Sequence, residues 1–468
     1  MSHPPHTSLS HTSLSRTSLS HTSLSRTSLS HTSLSRTSLP GTDGSRTDRS
    51  RISLARPGRS AARLPVALLA AALLAPLAAC SSGTTGTTGT TGTSGAGDAK
   101  GTSASATASP GAGDRPVTVA VTPTGNQVPA GGPVRVTAIG GTLTSVTVTA
   151  ADGRTLPGEV AADGRTWTSG RKTAPGAAYE VRTATRSAGG TAGSSTAAFT
   201  TAPAGKVNKV DWRPGGATTV GIAQPISLVF DHPVRNRAEV EKQLKVTTSN
   251  GTEGSWGWLR DWSGRDRVDW RPRTYWKPGT RVTLEAELNG TDSGPDGGWF
   301  VRDYRTAFTI GAGQVVKVDL DRHRLSLVRD GKTLRRIPVS GGTPGGDKRS
   351  WRGTAVLVAK EGTINMNSET VGLGNAYDKM VDHSMRLTWS GMYAHAAPWN
   401  ARFFGRSNQS SGCIGMSDAD AAWFYAQVRP GDPFEITGRD TKGVVAPGNG
   451  FGAWNLSWAE WQEKSALR

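Results

Sequence analysis

Between Asp114 and Gly311 the chain advances in short apolar–polar alternations, each cut off by a turn signal. Val146 and Val148 flank Thr147, for example, and are followed by Asp152 with Gly153 and then by Asp163 with Gly164. A period of two puts successive side chains on opposite faces of a strand, whereas a helix needs apolar residues three and four apart, so antiparallel sandwiches are expected here. The 59 glycines and 26 prolines among 468 residues suit that turn-rich reading and exclude a single helical bundle. Two parts of the stretch correspond. Trp167 stands eight residues before Pro175 and Gly176, with Tyr179 and Val181 following; Trp270 stands eight before Pro278 and Gly279, with Val282 and Leu284 following. Phe199 and Phe308, each followed by threonine, close the two copies, which predicts a duplicated Ig-like module over 114–203 and 204–312. Trp256, Trp258, Trp262, Trp270 and Trp276 crowd the second copy. At strand spacing they read as core, with a sugar-binding face as the other reading.

From Val315 the same period continues through Val316, Val318 and Leu320, then Leu325 and Leu327, a turn at Asp330 and Gly331, then Ile337 and Val339. A meander of hairpins is predicted. One helix is predicted over 417–427, where Ser417 can cap, Asp418 and Asp420 suit the positive end of the dipole, and Pro430 with Gly431 stop it.

The first eighty residues differ. A five-residue unit, [H/R]TSLS, repeats from His6 to Leu39 with isolated leucines and no aromatic residue, too little apolar surface to offset chain entropy, so disorder is expected. Arg51, Arg56, Arg59 and Arg63 then precede an apolar run over 64–77, the layout of a secretory signal and too short for a confident membrane span. Export machinery ordinarily meets its signal first; a signal this far in suggests a start downstream of Met1, and as the next methionine is Met366 that start would use another codon. The run ends in LAAC at 77–80, which resembles the bacterial lipobox, in which the cysteine thiol receives diacylglycerol. That likeness implies lipidation of Cys80 after cleavage of a 1–80 leader, with the Gly/Ser/Thr-rich residues 81–113 as a flexible tether. The alternative is an unlipidated signal cleaved nearby. An exported protein at the outer face of the cell membrane follows. The formal net charge of +18, of which about +11 lies beyond residue 80, suits an anionic wall or membrane surface, and export disfavours nucleic acid as the partner.

Cys80 and Cys413 are the only cysteines, which excludes a disulfide framework. Around the second lie HAAPW at 395–399, a polar loop, and SSGCI at 410–414. A thiol is a poor nucleophile while protonated and needs a base such as imidazole. Beyond the leader the histidines are His232, His323, His383 and His395, and His395 alone lies near Cys413 at the end of a strand-like run. Ser411 and Gly412 let the chain turn sharply and aim N–H groups at one point, as a developing oxyanion requires. On these residues alone a buried structural cysteine is an equal reading. His323 and His383 stand outside the motif, and no HExxH or Cys/His cluster is present to support metal catalysis.

HAAPW, SSGCI and the following ADAAWFYAQ together resemble the YkuD-type L,D-transpeptidases, in the actinobacterial lipoprotein form with two Ig-like modules before the catalytic domain. The resemblance covers about residues 114–468. It implies a mainly β protein, a β-rich catalytic domain over 313–438, and a Trp-rich extension over 439–468, with Trp454, Trp458 and Trp461, that packs back on the enzyme. It further implies Cys413 as nucleophile, His395 as base held by the Ala396 carbonyl, an oxyanion hole from the N–H groups of Cys413 and Gly412, and Tyr377 on a substrate lid. No cofactor is implied. The implied partners are peptidoglycan stem peptides: a donor tetrapeptide attacked at its third residue and the side-chain amine of an acceptor, giving a 3→3 cross-link. Hydrolysis by an L,D-carboxypeptidase and a non-catalytic wall-binding lipoprotein are the alternatives. The family loop usually carries histidine where Ser411 stands and a polar residue where Gly415 stands. The order His then Cys, eighteen residues apart, separates the chain from papain-like and NlpC-type peptidases, and the SGCI loop separates it from sortases.

Overall fold

The computed structural model describes residues 115–468, so the pentapeptide repeat, the apolar signal run, Cys80 and the tether lie outside the described residues. Within them the predicted alternation becomes alternation of burial. Along Ala178–Ser187 every second residue from Tyr179 onward is buried, and Tyr179 stacks on Phe199 of the neighbouring strand with ring centroids 5.0 Å apart. A four-stranded and a five-stranded sheet formed by strands between Thr118 and Thr201 enclose a core that includes Val136, Trp167 and Val181. Two four-stranded sheets between Val210 and Ile310 form the second sandwich around Phe230, Trp270 and Phe308. The corresponding tryptophans, Trp167 and Trp270, thus occupy corresponding cores. Trp256, Trp258, Trp270 and Trp276 are all buried, so they pack the sandwich; Trp262 alone of the five is exposed.

The C-terminal part is built from a five-stranded and a four-stranded sheet. The first runs Lys332–Pro338, Arg324–Arg329, Gln314–Asp319, Pro433–Thr437 and Gly353–Val356; the second runs Ala359–Asn367, Asp378–Arg386, Tyr393–Ala396 and Ile414–Met416. The predicted hairpins are the first three strands, with Asp330 and Gly331 at positive φ in the two-residue turn between them. The helix Asp418–Gln427 is capped by Ser417, whose hydroxyl accepts the Asp420 N–H at 3.1 Å. Its Ala421 and Phe424 complete the core shared by both sheets.

Backbone meets backbone where the second sandwich joins this body. The N–H groups of Gly221 and Ala223 donate to Pro430 and Gly431 carbonyls at 2.8 and 2.9 Å, and a Cβ on Gly221 would lie 2.2 Å from the Asp432 nitrogen, so only glycine fits. The Trp-rich tail closes the seam as the resemblance implied. Trp461 is fully buried against Gly257 and donates from Nε1 to the Ser255 carbonyl at 3.0 Å, while Trp454 Nε1 donates to Ala223. On the other side Asn455 exchanges hydrogen bonds with the backbone of Thr354, and the Arg271 guanidinium lies over the rings of Trp454, Trp458 and Trp461.

Candidate active site

His395 and Cys413 come together because two short strands pair. Tyr393–Ala396 lies parallel to Ile414–Met416, with Ala394 opposite Ile414 and His395 opposite Gly415, so Cys413 stands at the entrance of the second strand beside the first. Its loop is fixed by hydroxyls. Ser410 Oγ donates to the Cys413 carbonyl at 2.6 Å and accepts the Gly412 N–H at 3.1 Å, and Ser350 Oγ donates to the Gly412 carbonyl at 2.8 Å. Gly412 has φ +117°, which a side chain would strain. The Gly412 N–H expected in an oxyanion hole is therefore engaged by Ser410 in the resting loop, because that hydroxyl folds back to close the turn.

His395 is 5% exposed, and its Nδ1 lies 2.6 Å from the Ala396 carbonyl. A carbonyl only accepts, so Nδ1 carries the proton and Nε2 presents its lone pair. Burial lowers the imidazole's pKa, which keeps it neutral. Burial also pushes the Cys413 thiol up to about 11, against a smaller opposing effect of the Tyr393 backbone N–H. The resting pair is a neutral thiol and a neutral imidazole rather than an ion pair. The Cys413 thiol is directed to the Gly391 carbonyl at 3.7 Å.

Both residues line one cavity of about 200 Å³, together with Tyr377, Ser411 and Trp399. Tyr377 is the last residue of a flap between Ala359–Asn367 and Asp378–Arg386, and its hydroxyl is pushed up to about 12 by burial and by nearby Cys413, so it is a neutral donor. The flap is organised by a residue outside the sequence motif. Buried Ser368 accepts the N–H groups of Ala376 and Tyr377 at 2.8 and 2.9 Å and its own proton is within reach of the Tyr377 carbonyl at 3.0 Å. Trp399 stacks on His395 at 6.0 Å with a 28° tilt, a role the HAAPW motif did not disclose. His323 and His383 line no part of this cavity; His323 Nδ1 pairs with Asn408 at 3.1 Å, and His383 packs edge-on to Tyr425.

Residues 313–436 match the L,D-transpeptidase catalytic domain model of the YkuD family, and 125–292 match the bacterial Ig domain model, which spans both sandwiches. L,D-transpeptidase 2 of Mycobacterium tuberculosis is 32% identical over 343 residues, covering 71% of this chain and 81% of that protein. The chain belongs to the YkuD L,D-transpeptidase family. Another family member, L,D-transpeptidase 5 of M. tuberculosis, is 34% identical over 270 residues, 58% of this chain and 59% of that protein. Among solved structures, the L,D-transpeptidase from Mycobacterium smegmatis is 30% identical, with a TM-score of 0.40 over 49% of this chain and 99% of that one. This YkuD chain also carries, at residues 6–43, eight copies matching the pentapeptide repeat model.

Proposed function

We propose that this L,D-transpeptidase cross-links peptidoglycan stems through a thioester on Cys413. One observation carries the reading: a cysteine thiol and a histidine with its Nδ1 proton fixed on a carbonyl share a single cavity. Cys413 Sγ attacks the carbonyl of the third residue of a donor tetrapeptide while His395 Nε2 takes the thiol proton. The C–N bond to the terminal D-Ala breaks, and the imidazolium returns that proton to the departing amine. The side-chain amine of an acceptor stem then attacks the thioester, His395 accepts its proton, and the thiolate leaves to be reprotonated. The Cys413 N–H and the Tyr377 hydroxyl stabilise the oxyanion in each half.

The decisive experiment is mass spectrometry of intact protein incubated with a disaccharide-tetrapeptide. The expected result is an adduct on Cys413 lacking D-Ala, resolved into a 3→3 dimer, with neither species from Cys413→Ala. Adduct decay to tripeptide without dimer would mean an L,D-carboxypeptidase, and no adduct would mean a wall-binding lipoprotein.

The protein's place at the outer membrane face belongs to the same proposal, supported by the LAAC sequence at 77–80 and the polar tether that follows. A diacylglycerol on the Cys80 thiol and an acyl chain on its amine would give two apolar anchors, enough for stable attachment. Cell fractionation should find the Cys80→Ala protein released; its retention in the membrane would identify another anchor.

A further inference from the structure

Strand alternation carries the face that bears Tyr377 onward through Lys379 and Val381, and all three side chains line the Cys413 cavity. Met366, the cavity residue contributed by the opposite strand, is the register partner of Lys379. The rest of the lining is apolar, as Val381 and Trp399, or neutral and polar, as Asn400, Gln409 and Ser411. With His395 held neutral, Lys379 brings the cavity its fixed charge. Its ammonium lies 4.7 Å from the centroid of the Trp399 ring, which also stacks on the His395 imidazole at 6.0 Å. An indole face holds a cation without neutralising it. Among the described residues no carboxylate lies within ion-pair distance of Lys379, and Asp382, on the opposite face of the same strand, is hydrogen-bonded to Thr363.

We propose that Lys379 binds a carboxylate of the donor peptide beside the scissile carbonyl, and thereby selects an anionic donor. The proposal rests on the assignment of this cavity to the donor stem. One residue spans at most about 3.6 Å, so a carboxylate on either residue flanking the scissile bond enters the same cavity when the carbonyl reaches Cys413. Two groups have this chemistry: the terminal carboxylate of the leaving D-Ala, and a side-chain carboxylate on the third residue. The cation fixes the donor's register along the strand face while leaving the thiol and imidazole untouched.

Equilibrium binding of synthetic stem tetrapeptides to the Cys413→Ala chain, which cannot form the thioester, tests this directly. Three peptides are needed: the free acid, its C-terminal amide and its side-chain amide. Lys379→Met should weaken the free acid roughly 3–10-fold, the range of a partly exposed ion pair, and Lys379→Arg should restore most of the loss. The amide that removes the recognised carboxylate should bind the Lys379 chain with the same penalty and be indifferent to Lys379→Met, which identifies the source. The discrimination should shrink in high salt. Equal effects of Lys379→Met on all three peptides, or none on any, would overturn the proposal. Acylation of the chain with Cys413 intact, followed in parallel by mass, reports separately on the nucleophile: a missing thioester would refute that assignment, while the binding series would still decide the role of Lys379.

Discussion

Cys413 is held in two ways that pull against each other. The burial that shields Cys413 from solvent also disfavours the thiolate, so the proposed nucleophile rests protonated and in the proposed mechanism depends on His395 at the moment of attack. Modification of the free enzyme by iodoacetamide should therefore accelerate about tenfold per pH unit from pH 7 to 10, following the thiolate fraction below a raised thiol pKa. A rate already flat below pH 8 would instead reveal a preformed thiolate–imidazolium pair. His395→Ala should leave that alkylation profile unchanged yet greatly slow acylation by peptide. Because burial lowers the imidazole's pKa, the acidic limb of acylation should fall below pH 6.5, with full rate above it. Tyr377 supplies a neutral hydroxyl beside the thiol, and removing that oxygen in Tyr377→Phe should lower turnover roughly 10–1000-fold with little change in donor binding, as expected for one oxyanion donor. Steady-state kinetics with a fixed acceptor measure both, and an unchanged turnover number would leave the tyrosine a packing role only.

Among the elements, the flap shows how one polar residue organises a segment that lacks a core of its own. Ser368 is fully buried and serves the N–H groups of Ala376 and Tyr377, so the position of the Tyr377 ring depends on a hydroxyl nine residues earlier. Ser368→Ala leaves two part-buried donors without that partner, at a cost of about 1 kcal/mol of local stability. Hydrogen exchange should show residues 367–378 opening more readily, while the Asp418–Gln427 helix keeps its protection. The contrast follows from construction: that helix has its own cap and buries Ala421 and Phe424, whereas the flap hangs on a few hydrogen bonds.

For the whole molecule, the C-terminal tail ties the second sandwich to the body that carries Cys413. Trp461 fills the space left by Gly257, Asn455 bonds Thr354, and the end of the chain reaches buried Glu241, which accepts from Trp258 Nε1 and the Ala466 N–H, each at 2.8 Å. Trp461→Ala should cost roughly 3–5 kcal/mol, the range for truncating a buried aromatic. Thermal unfolding should show a lowered midpoint, with the second sandwich and catalytic body losing their common transition. A single unshifted transition would show that the tail is dispensable for coupling. Such coupling holds the second sandwich and the candidate active site in one fixed relation.

Period-two alternation, turn residues and the Ser417 cap are local properties, so the sandwiches, the hairpins from Val315 and the Asp418–Gln427 helix could be read from neighbouring residues alone. The pairing of His395 with Cys413 was legible because both stand in short motifs, while the Ala396 contact was implied only by the family resemblance those motifs carry. Lys379 lay within reach of the same alternation, two residues beyond Tyr377. Ser368 could not be singled out, since its role arises only when folding buries its hydroxyl within reach of the Ala376 and Tyr377 N–H groups. The engagement of the Gly412 N–H by Ser410, the stacking of Trp399 on His395 and the burial that raises the thiol's pKa are likewise tertiary facts. Each depends on which atoms folding brings within a few ångströms and on how much solvent it excludes, and residue order fixes neither until the chain has closed on itself.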